Sequence, residues 1–322
     1  MRYIHLLLTF TAGIALVLVI LVVLNLDVAK AAPAPTIRYV LGDGSTDTTN
    51  CTEPDTPCQT IQYAMAKSCH GDIVRVASKY SPGTYDGTVV ISKSITLQGS
   101  WRATPGSSPG FVWERITPCD PSRTIIDAGG TGRAISITGN ITPTVDCFTI
   151  TGGDATGLGG GLYGNDAGGG ISSHDTAPLI VNNVITANYA CTSGCSKDAG
   201  VYLSDGAEAW MTNTIVASHT VDIYVDGGCL VVMEGTLWGD GTWANTINWD
   251  GNGDLTEGDV IITGNPDFVD PDDGDYHIGP VSAAIDDGMP TLLDFDIDGD
   301  PRILGSLPDI GADEAPPTYI CH

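Results

Sequence analysis

Four aspartates near the C-terminus could bind a metal ion. They alternate along the stretch DFDIDGDPRI, residues 294–303: Asp294, Asp296, Asp298 and Asp300. Calcium prefers carboxylate oxygens, but a helix-loop-helix calcium loop also needs a bidentate Glu at its twelfth position, where this chain has Gly305. Pro301 stands at the eighth position, and the flanking residues are not helical in pattern. We therefore predict an acidic turn clamped by Arg302 that binds calcium weakly, with no required cofactor. A dedicated calcium site is the alternative.

Three tryptophans give a second candidate site: Trp238, Trp243 and Trp249. Exposed tryptophan rings stack on sugar rings, since they combine a large apolar face with a polar N–H group. The same cluster could instead form a hydrophobic lid over the end of a repeat protein's core. The lid is the favoured interpretation, and glycan contact by one of the three rings is the alternative.

Two close pairs among the nine cysteines could form disulfides: Cys51 with Cys58, and Cys191 with Cys195. Zinc binding is the competing interpretation, but no second Cys or His pair at zinc spacing follows either pair. We therefore predict both disulfides. Cys147 and Cys229 lie in strand-like runs, where a buried thiol is the ordinary expectation.

The first 31 residues are predicted to be a targeting segment. Arg2 precedes a charge-free apolar run at residues 6–26, and Ala29-Lys30-Ala31 supplies the small residues that signal peptidase accepts. Cleavage after Ala31 is favoured, although the run is also long enough for an uncleaved membrane anchor. Both alternatives predict a secreted or cell-surface protein, in a compartment where disulfides persist. The membrane would be a partner only through this segment, if it stays uncleaved.

Acidic residues far outnumber basic ones. The chain has 39 Asp and Glu against 13 Lys and Arg, which gives a formal net charge of -26. Such a charge repels a phosphate backbone, so we exclude nucleic acid as a partner. Residues 250–314 contain 18 of the acidic side chains and one base, so the negative charge is concentrated toward the C-terminal end.

Short β-branched runs separated by turn residues make up most of the chain, and helical periodicity is confined to residues 61–67. Segments that begin at Gly170, Gly200 and Asp222 can be superposed. Each has a short strand, a first turn, an apolar strand, a second turn and a third strand. The first turns fall at Asp175, Asp205 and Asp226, and the second turns at Asn182, Thr212 and Glu234. Three strands in each repeat of 20–30 residues, with no helix, indicate a solenoid of parallel strands.

The three aspartates of the first turns would stack as a ladder of carboxylates, which could be catalytic or bind a cation. Asp205 and Asp226 each precede a glycine, and Asp-Gly is typical of turns that need a positive φ. A structural role is therefore favoured. His174 and His219 have no acidic or nucleophilic partner at matching positions of a neighbouring repeat, and we predict both at the surface or in turns.

Five stretches resemble a known family: CQTIQYAMA with GDIVRVASKYSPGTY, ISKSITLQGSW, TIIDAGG, TITGGD, and the tail that runs from NPDFVDPDDGDYHIGP to LGSLPDIGADE. The chain resembles bacterial secreted right-handed parallel β-helix proteins of the pectin-lyase-like superfamily, in particular the choice-of-anchor group. The resemblance implies an all-β, right-handed parallel β-helix over residues 32–270. It also implies an acidic C-terminal capping segment over residues 271–314 that packs on the last coils, and a tail over residues 315–322.

Enzymes of this superfamily combine aspartates with Arg or Lys on one face of the helix. Their Asn-Thr-Asp, strand Asp-Asp and Gly-His-Gly motifs have no counterpart here. A lyase needs a strong base, yet only Lys197 and Arg302 are cationic after residue 134. We therefore predict no catalytic residues and a non-catalytic scaffold that binds or adheres to an extracellular glycan or cell-surface component. The alternatives are a diverged polysaccharide lyase or glycoside hydrolase, and a structural surface-layer component.

Overall fold

The computed structural model describes residues 34–42, 45–78, 83–106, 110–115, 124–159, 166–190, 199–273, 275–290, 303–311 and 313–315. The chain divides into two units, residues 1–35 and 36–322, and every described helix and strand belongs to the second. Several sequence predictions lie outside the described residues: the segment 1–31, Cys191, Cys195, Asp294, Asp296, Asp298, Asp300 and Arg302. In the part of the chain that is described, no helix is long and apolar enough to span a bilayer.

The described residues are almost entirely strand and turn. The one α-helix among them, α1, is Ile61–Lys67, and two short 3-10 helices are Gly241–Trp243 and Pro271–Asp273. The strands are β1 Ile37–Leu41, β2 Ile73–Ser78, β3 Gly83–Asp86, β4 Val89–Ile91, β5 Thr96–Pro105, β6 Phe111–Arg115, β7 Thr124–Asp127, β8 Ile135–Thr138, β9 Thr144–Asp146, β10 Thr149–Thr151, β11 Ile171–His174, β12 Leu179–Val181, β13 Val184–Thr186, β14 Ala199–Ser204, β15 Glu208–Ala217, β16 Val221–Val225, β17 Leu230–Gly239, β18 Ile247–Gly251, β19 Asp254–Glu257, β20 Ile261–Gly264, β21 Phe268–Asp270 and β22 Asp275–Ile278.

Most strands belong to three parallel stacks, and the chain visits them in turn on each coil. The first stack is β1, β2, β5, β9, β12, the first halves of β15 and β17, and β19. The second stack is β3, β7, β10, β13, the second halves of β15 and β17, and β20. The third stack is β4, β8, β11, β14, β16 and β18. This is a parallel β-helix, and it confirms the predicted fold class.

Alternate residues of all three stacks face one common core. Side chains alternate between the two faces of a strand. Since the register is constant, an inward residue of one coil lies beside an inward residue of the next coil, and these residues form a column. In the third stack, one such column is buried in every coil before the last: Val89, Ile135, Ile171, Val201 and Ile223. Burial of such columns, repeated from coil to coil, is what holds the solenoid together.

The corner between the first and second stacks is a column of residues with positive φ. Cys147, Asn182, Asn213 and Gly235 have φ values of 72°, 55°, 47° and 57°. Asn and Gly adopt this left-handed conformation most readily, which explains their repetition here. The predicted turn at Asn182 is correct, whereas Thr212 and Glu234 were placed one residue early, because the register pairs them with Val181 at the end of a strand.

The N-terminal end of the coil is closed by the loop of the predicted Cys51–Cys58 disulfide, which is present, and by α1. The loop lies along β1, where the N–H of Leu41 donates to the Cys58 carbonyl over 2.9 Å. The hydroxyl of Thr60 accepts from the N–H of Tyr63 and caps α1. The buried side of α1 joins the main core. The first coil is therefore covered on the side that no other coil covers.

The C-terminal segment packs on the outer side of the second stack. Its apolar residues Ile278 and Ile310 form a separate cluster with Phe268, which precedes the segment, and with Ile215 and Leu237, which point outward from β15 and β17. Some of its carboxylates are buried because they accept backbone hydrogen bonds: Asp313 from the N–H of Ile278, Asp309 from those of Asp286 and Ala315, and Glu314 from that of Asp309. The acidity of this segment is therefore partly structural. That it caps the coil stays a prediction.

Candidate functional site

The outer face of the first stack carries two exposed apolar side chains in adjacent coils. Ile180 and Met211 point into the core, so their neighbours Leu179 and Trp210 must point outward. Leu179 and Trp210 are register partners, and each is 40% exposed. Thr144 continues this row on one side and Val232 on the other. The result is a flat apolar platform with polar neighbours.

Polar groups meet at the N-terminal end of the same face. The hairpin β5–β6 brings Arg115 to Asp146, and the guanidinium Nη2 donates to the carboxylate Oδ2 over 2.5 Å. The amide nitrogen of Asn182 donates to Oδ1 of the same carboxylate over 3.0 Å. Asp146 is 8% exposed, so this ion pair is largely shielded from water and is stronger than a surface pair.

A second arginine lies beside this pair. The guanidinium of Arg75 stacks over the ring of Trp101 at 4.0 Å and lies 6.0 Å from the ring of Tyr39. Burial lowers the pKa of Arg75, Tyr39 acts in the opposite direction, and the nearby positive charge of Arg115 lowers it further. Among the residues that the structure describes, three buried N–H groups of this cluster find no hydrogen-bond partner: Arg75 Nε, Arg115 Nε and Trp101 Nε1.

These arginines correct one step of the sequence interpretation. The prediction that no strong base is at hand rested on residues after 134, whereas the fold stacks early coils against later ones. Arg75 and Arg115 therefore come to the same face as Asp146, although 71 residues separate Arg75 from Asp146 in the sequence. The structure thus places Arg115 against Asp146 on the outer face of the first stack, with Arg75 two strands away on the same face.

The three predicted tryptophans do not share a surface. Trp238 is 2% exposed and belongs to the main core, so it cannot contact a glycan. Trp243 is half-buried on the outer side of the second stack, 5.0 Å from the ring of Phe268. Trp249 lies on β18, in the last coil, and is 39% exposed. A common lid is therefore not formed, and of the three Trp249 alone offers an exposed ring.

The prediction that both histidines lie at the surface or in turns is wrong for His219, and both histidines have acidic partners. His219 is 4% exposed, and its Nδ1 lies 2.6 Å from Asp222 Oδ1 in a pair whose side chains are fully buried. His174 Nδ1 lies 2.6 Å from Asp205 Oδ2 of the next coil and 3.1 Å from Ser204 Oγ. A catalytic triad needs the serine and the carboxylate on opposite ring nitrogens. Here both contact Nδ1, so the cluster around His174 is not arranged as a nucleophile and base.

Of the three aspartates of the first turns, two have a structural role. Asp175 and Asp205 have φ values of 51° and 55°, as a turn residue would. Asp226 instead accepts a hydrogen bond from the hydroxyl of Tyr202, and burial is the main cause that raises the pKa of that tyrosine. Among the residues that the structure describes, no three Asp, Glu, His or Cys side chains are grouped to hold a metal ion.

The cysteines outside the first loop differ from one another. Cys229 is a buried free thiol, as predicted. Cys147, also predicted to be a thiol, is disulfide-bonded, and its partner lies outside the described residues. Cys69 is free and exposed. Sequence spacing carried no sign of the bond at Cys147, because no other cysteine is close to it in the chain.

A cleft of about 260 Å³ lies apart from this face, near the first coil. It is lined by Gly42, residues 59–62 at the start of α1 and residues 84–89. Asp86 is the one charged side chain in this lining. The cleft contains none of the groups that meet on the first stack, so it is not part of the candidate site.

Sequence reasoning missed Trp210, although a signal for it was present. In the run EAWMTNT, residues 208–214, small or apolar residues alternate with polar or aromatic ones. With Ala209 and Met211 facing inward, Trp210 has to face outward. Arg115 carried no such signal, because only the hairpin β5–β6 places it beside Asp146.

Comparisons with known proteins place few constraints on this chain. No protein-family model matches it, and no curated protein does. Among solved structures, the crystal structure of pectate lyase Pel9A is similar, with 13% sequence identity and a TM-score of 0.41 over 88% of this chain and 97% of that one. This similarity is too low to indicate an activity. The resemblance to the choice-of-anchor group stays a prediction.

Proposed function

We propose that this protein is an exported β-helix scaffold, extracellular or attached to the cell surface, that binds a glycan without changing it. The observation that carries the proposal is the pair Leu179 and Trp210, exposed side by side on a flat sheet face. Aromatic rings on such a face stack on the apolar faces of sugars. Thr144 and Thr212 beside them supply hydroxyl groups for hydrogen bonds to the sugar.

Charge favours a neutral glycan over a polyanion. The protein has a formal net charge of -26, which repels an acidic polysaccharide at low ionic strength. The two arginines on the face do not reverse this, because Arg115 is paired with Asp146 and the one remaining positive charge, on Arg75, is small against the net charge of the protein. We therefore expect neutral oligosaccharides to be the preferred ligands.

Binding is favoured over chemistry because the charged groups on this face already partner one another. Asp146 accepts from both Arg115 and Asn182, so its carboxylate is held by neighbours on the face and is not directed at a ligand. A diverged polysaccharide lyase or glycoside hydrolase is the second candidate. It is favoured by the proximity of Arg75, Arg115 and Asp146. Depolymerisation of any member of a panel of acidic and neutral polysaccharides would establish it over simple binding.

Glycan-array binding followed by calorimetric titration of the best ligand tests the first proposal. Replacing Trp210 by Ala removes the stacking ring, and we expect at least tenfold weaker binding, about 1.4 kcal/mol. Leu179→Ala should weaken binding less, because the smaller side chain covers less of the sugar. Trp249→Ala is the matched control, since this ring is equally exposed but lies on another stack. Unchanged affinity in Trp210→Ala, or a loss confined to Trp249→Ala, would contradict the assignment of this face.

Two further proposals concern residues outside the described part of the chain. We propose that residues 1–31 direct export and that any membrane contact is made by this segment. We also propose that Asp294, Asp296, Asp298 and Asp300 bind calcium weakly, because four carboxylates within seven residues repel one another and one nearby base, Arg302, cannot relieve that repulsion.

A further inference from the structure

The last coil of the solenoid has open strand edges. Within the described residues, β18, β19 and β20 pair with the preceding coil and with nothing beyond it. At the two ends of β19, the N–H groups of Asp254 and Gly258 donate back to the Cys229 and Met233 carbonyls. Because successive N–H groups of a strand point to opposite sides, those of Leu255 and Glu257 point away from the coil. An edge of this kind is a template for another strand.

The core is also incomplete at this end. Trp249 occupies the register position that is filled by Ile223 in the preceding coil, and this position is buried in every earlier coil. Trp249 is nevertheless 39% exposed and Ile247 43% exposed. Leu255, beside Val231, is partly buried against the main core. Apolar side chains thus face the direction in which the next coil would lie.

The two ends of the coil differ in this respect. The loop of residues 51–58 and α1 cover the first coil. The described part of the C-terminal segment packs on the outer side of the second stack and leaves Trp249 and Ile247 exposed. A solenoid needs a covered end for solubility, and the open end therefore calls for an occupant.

Charge identifies the kind of occupant. Exposed carboxylates surround the open edges: Asp250, Asp254, Glu257 and Asp259. Residues 134–322 contain 29 acidic and two basic residues, whereas residues 34–133 contain nine of each. In a solenoid, order along the chain is order along the axis, so the acidic half is the half that ends in the open edge. A second copy presenting the same edge would be repelled, and its N-terminal end is closed by α1 and the disulfide loop.

We propose that the last coil docks a β-strand from another protein, which adds as the next rung and carries basic side chains toward the acidic rim. The partner's alternate residues would be apolar and would cover Trp249 and Leu255, because side chains of an added strand alternate between core and rim. This interaction is independent of the proposed glycan-binding face around Leu179 and Trp210. That face lies on the side of the first stack and not at its end.

A synthetic strand peptide tests the proposal on the full chain. The probe is an eight-residue peptide of alternating Val and Lys, and its controls are the Val and Glu counterpart and a version with a central Pro. We expect the Lys peptide to bind at low salt at least tenfold more tightly than either control. Because the attraction is electrostatic, 0.5 M NaCl should weaken it at least fivefold. Bound peptide should protect the amides of Leu255 and Glu257 from hydrogen exchange.

Variants locate the site. Trp249→Lys should weaken peptide binding at least tenfold and leave glycan binding unchanged, whereas Trp210→Ala should do the reverse. If Trp249→Lys does not fold, the double variant Asp254→Lys with Glu257→Lys changes only exposed residues and should abolish the preference for the Lys peptide. The proposal is overturned if the Lys peptide fails to bind at low salt. It is equally overturned if the amides of Leu255 and Glu257 are already protected in the free monomer by the chain's own tail, or if they become protected through dimerisation.

Discussion

At the scale of single residues, the buried pair of His219 and Asp222 has no role at the glycan face but should affect stability. The side-chain nitrogen of Asn188 lies 3.3 Å from His219 Nε2, so Nε2 accepts and Nδ1–H donates to Asp222 Oδ1. Asp222 Oδ2 is buried, and in the described part of the chain it has no hydrogen-bond partner. Burial lowers the pKa of His219 to about 3 and raises the pKa of Asp222 well above 3.8. The folded pair therefore keeps one proton, on the carboxyl group.

This proton predicts how stability depends on pH. Between pH 3.8 and 6.5, the unfolded chain also holds one proton on this pair, on the histidine, so the pair adds little pH dependence there. Above pH 6.5 the unfolded chain releases its proton, whereas the raised pKa of Asp222 favours retention of the proton in the folded pair. The free energy of unfolding should then fall as pH rises.

Urea unfolding between pH 5 and 8.5 checks this expectation. Asp222→Asn keeps an oxygen to accept from His219 but cannot release a proton, so its unfolding free energy should depend less steeply on pH above 6.5. Asp250→Asn, at an exposed position, is the control for the loss of one charge. Equal slopes for the native protein and Asp222→Asn would show that the carboxyl group is ionised in the fold.

The residues of the candidate site were only partly predictable. Aromatic residues were singled out in the sequence as candidate glycan contacts, but Trp238 is buried in the core and the exposed Trp210 was missed. Both lie in strands, and whether a strand residue faces core or solvent changes with a register shift of one residue. The pairing of Arg115 with Asp146 depends on the hairpin β5–β6 folding back beside the sheet, which no local pattern encodes.

At the scale of elements, the left-handed corners set the register of the stacks. Asn213 has a φ of 47° and is 1% exposed, and its side chain accepts from the N–H of Met289 over 2.9 Å. It therefore joins a corner of the coil to the C-terminal segment. Its neighbour in the next coil, Gly235, adopts the same left-handed conformation and has no side chain to strain it.

Substitution of Asn213 should separate these two roles. Asn213→Gly loses the contact with Met289 but keeps an allowed backbone, and should cost about 1 to 2 kcal/mol of unfolding free energy. Asn213→Ala loses the same contact and adds left-handed strain, so it should cost about 1 to 2 kcal/mol more than the glycine variant. Denaturant unfolding of both variants measures the difference. If alanine is tolerated as well as glycine, the corner does not impose the left-handed conformation.

The strands and turns were largely predictable from the sequence. Which side chains of each strand face the core was less predictable. Short strands separated by turn residues at repeats of 20–30 residues predicted the parallel β-helix correctly, because this pattern suits no helix and no long hairpin. The repeat alone did not show which residues of a strand point inward and which point outward. Superposition of the segments that begin at Gly170 and Gly200 places Ile185 opposite Ile215. In the structure Ile185 pairs with Val216 in the core, and Ile215 packs outside with the C-terminal segment.

At the scale of the whole molecule, the uneven charge should make stability depend on cations. Almost the entire net charge lies in residues 134–322. Like charges that are held close in the folded state repel one another more than in the expanded unfolded chain, so cations that gather around them favour folding.

Calcium provides the test. Millimolar calcium should raise the melting temperature by a few degrees, as expected for about 1 to 2 kcal/mol. Sodium chloride at equal ionic strength is the control for screening, and Asp296→Ala with Asp298→Ala should remove the part that is specific to calcium. Submicromolar affinity in a calorimetric titration would instead indicate a dedicated site. No effect of calcium at all would remove weak binding as well.

The closed first coil has a consequence for how an exported chain folds. The proposed export delivers the chain N-terminus first, so α1 and the loop of Cys51 and Cys58 can finish one end before later repeats arrive. Each new strand then finds a completed edge to pair with, and folding can advance in the order of the chain. A chain whose closed end came last would have to wait for its final repeat. A circular permutant that places the later coils ahead of the first coil should therefore fold more slowly.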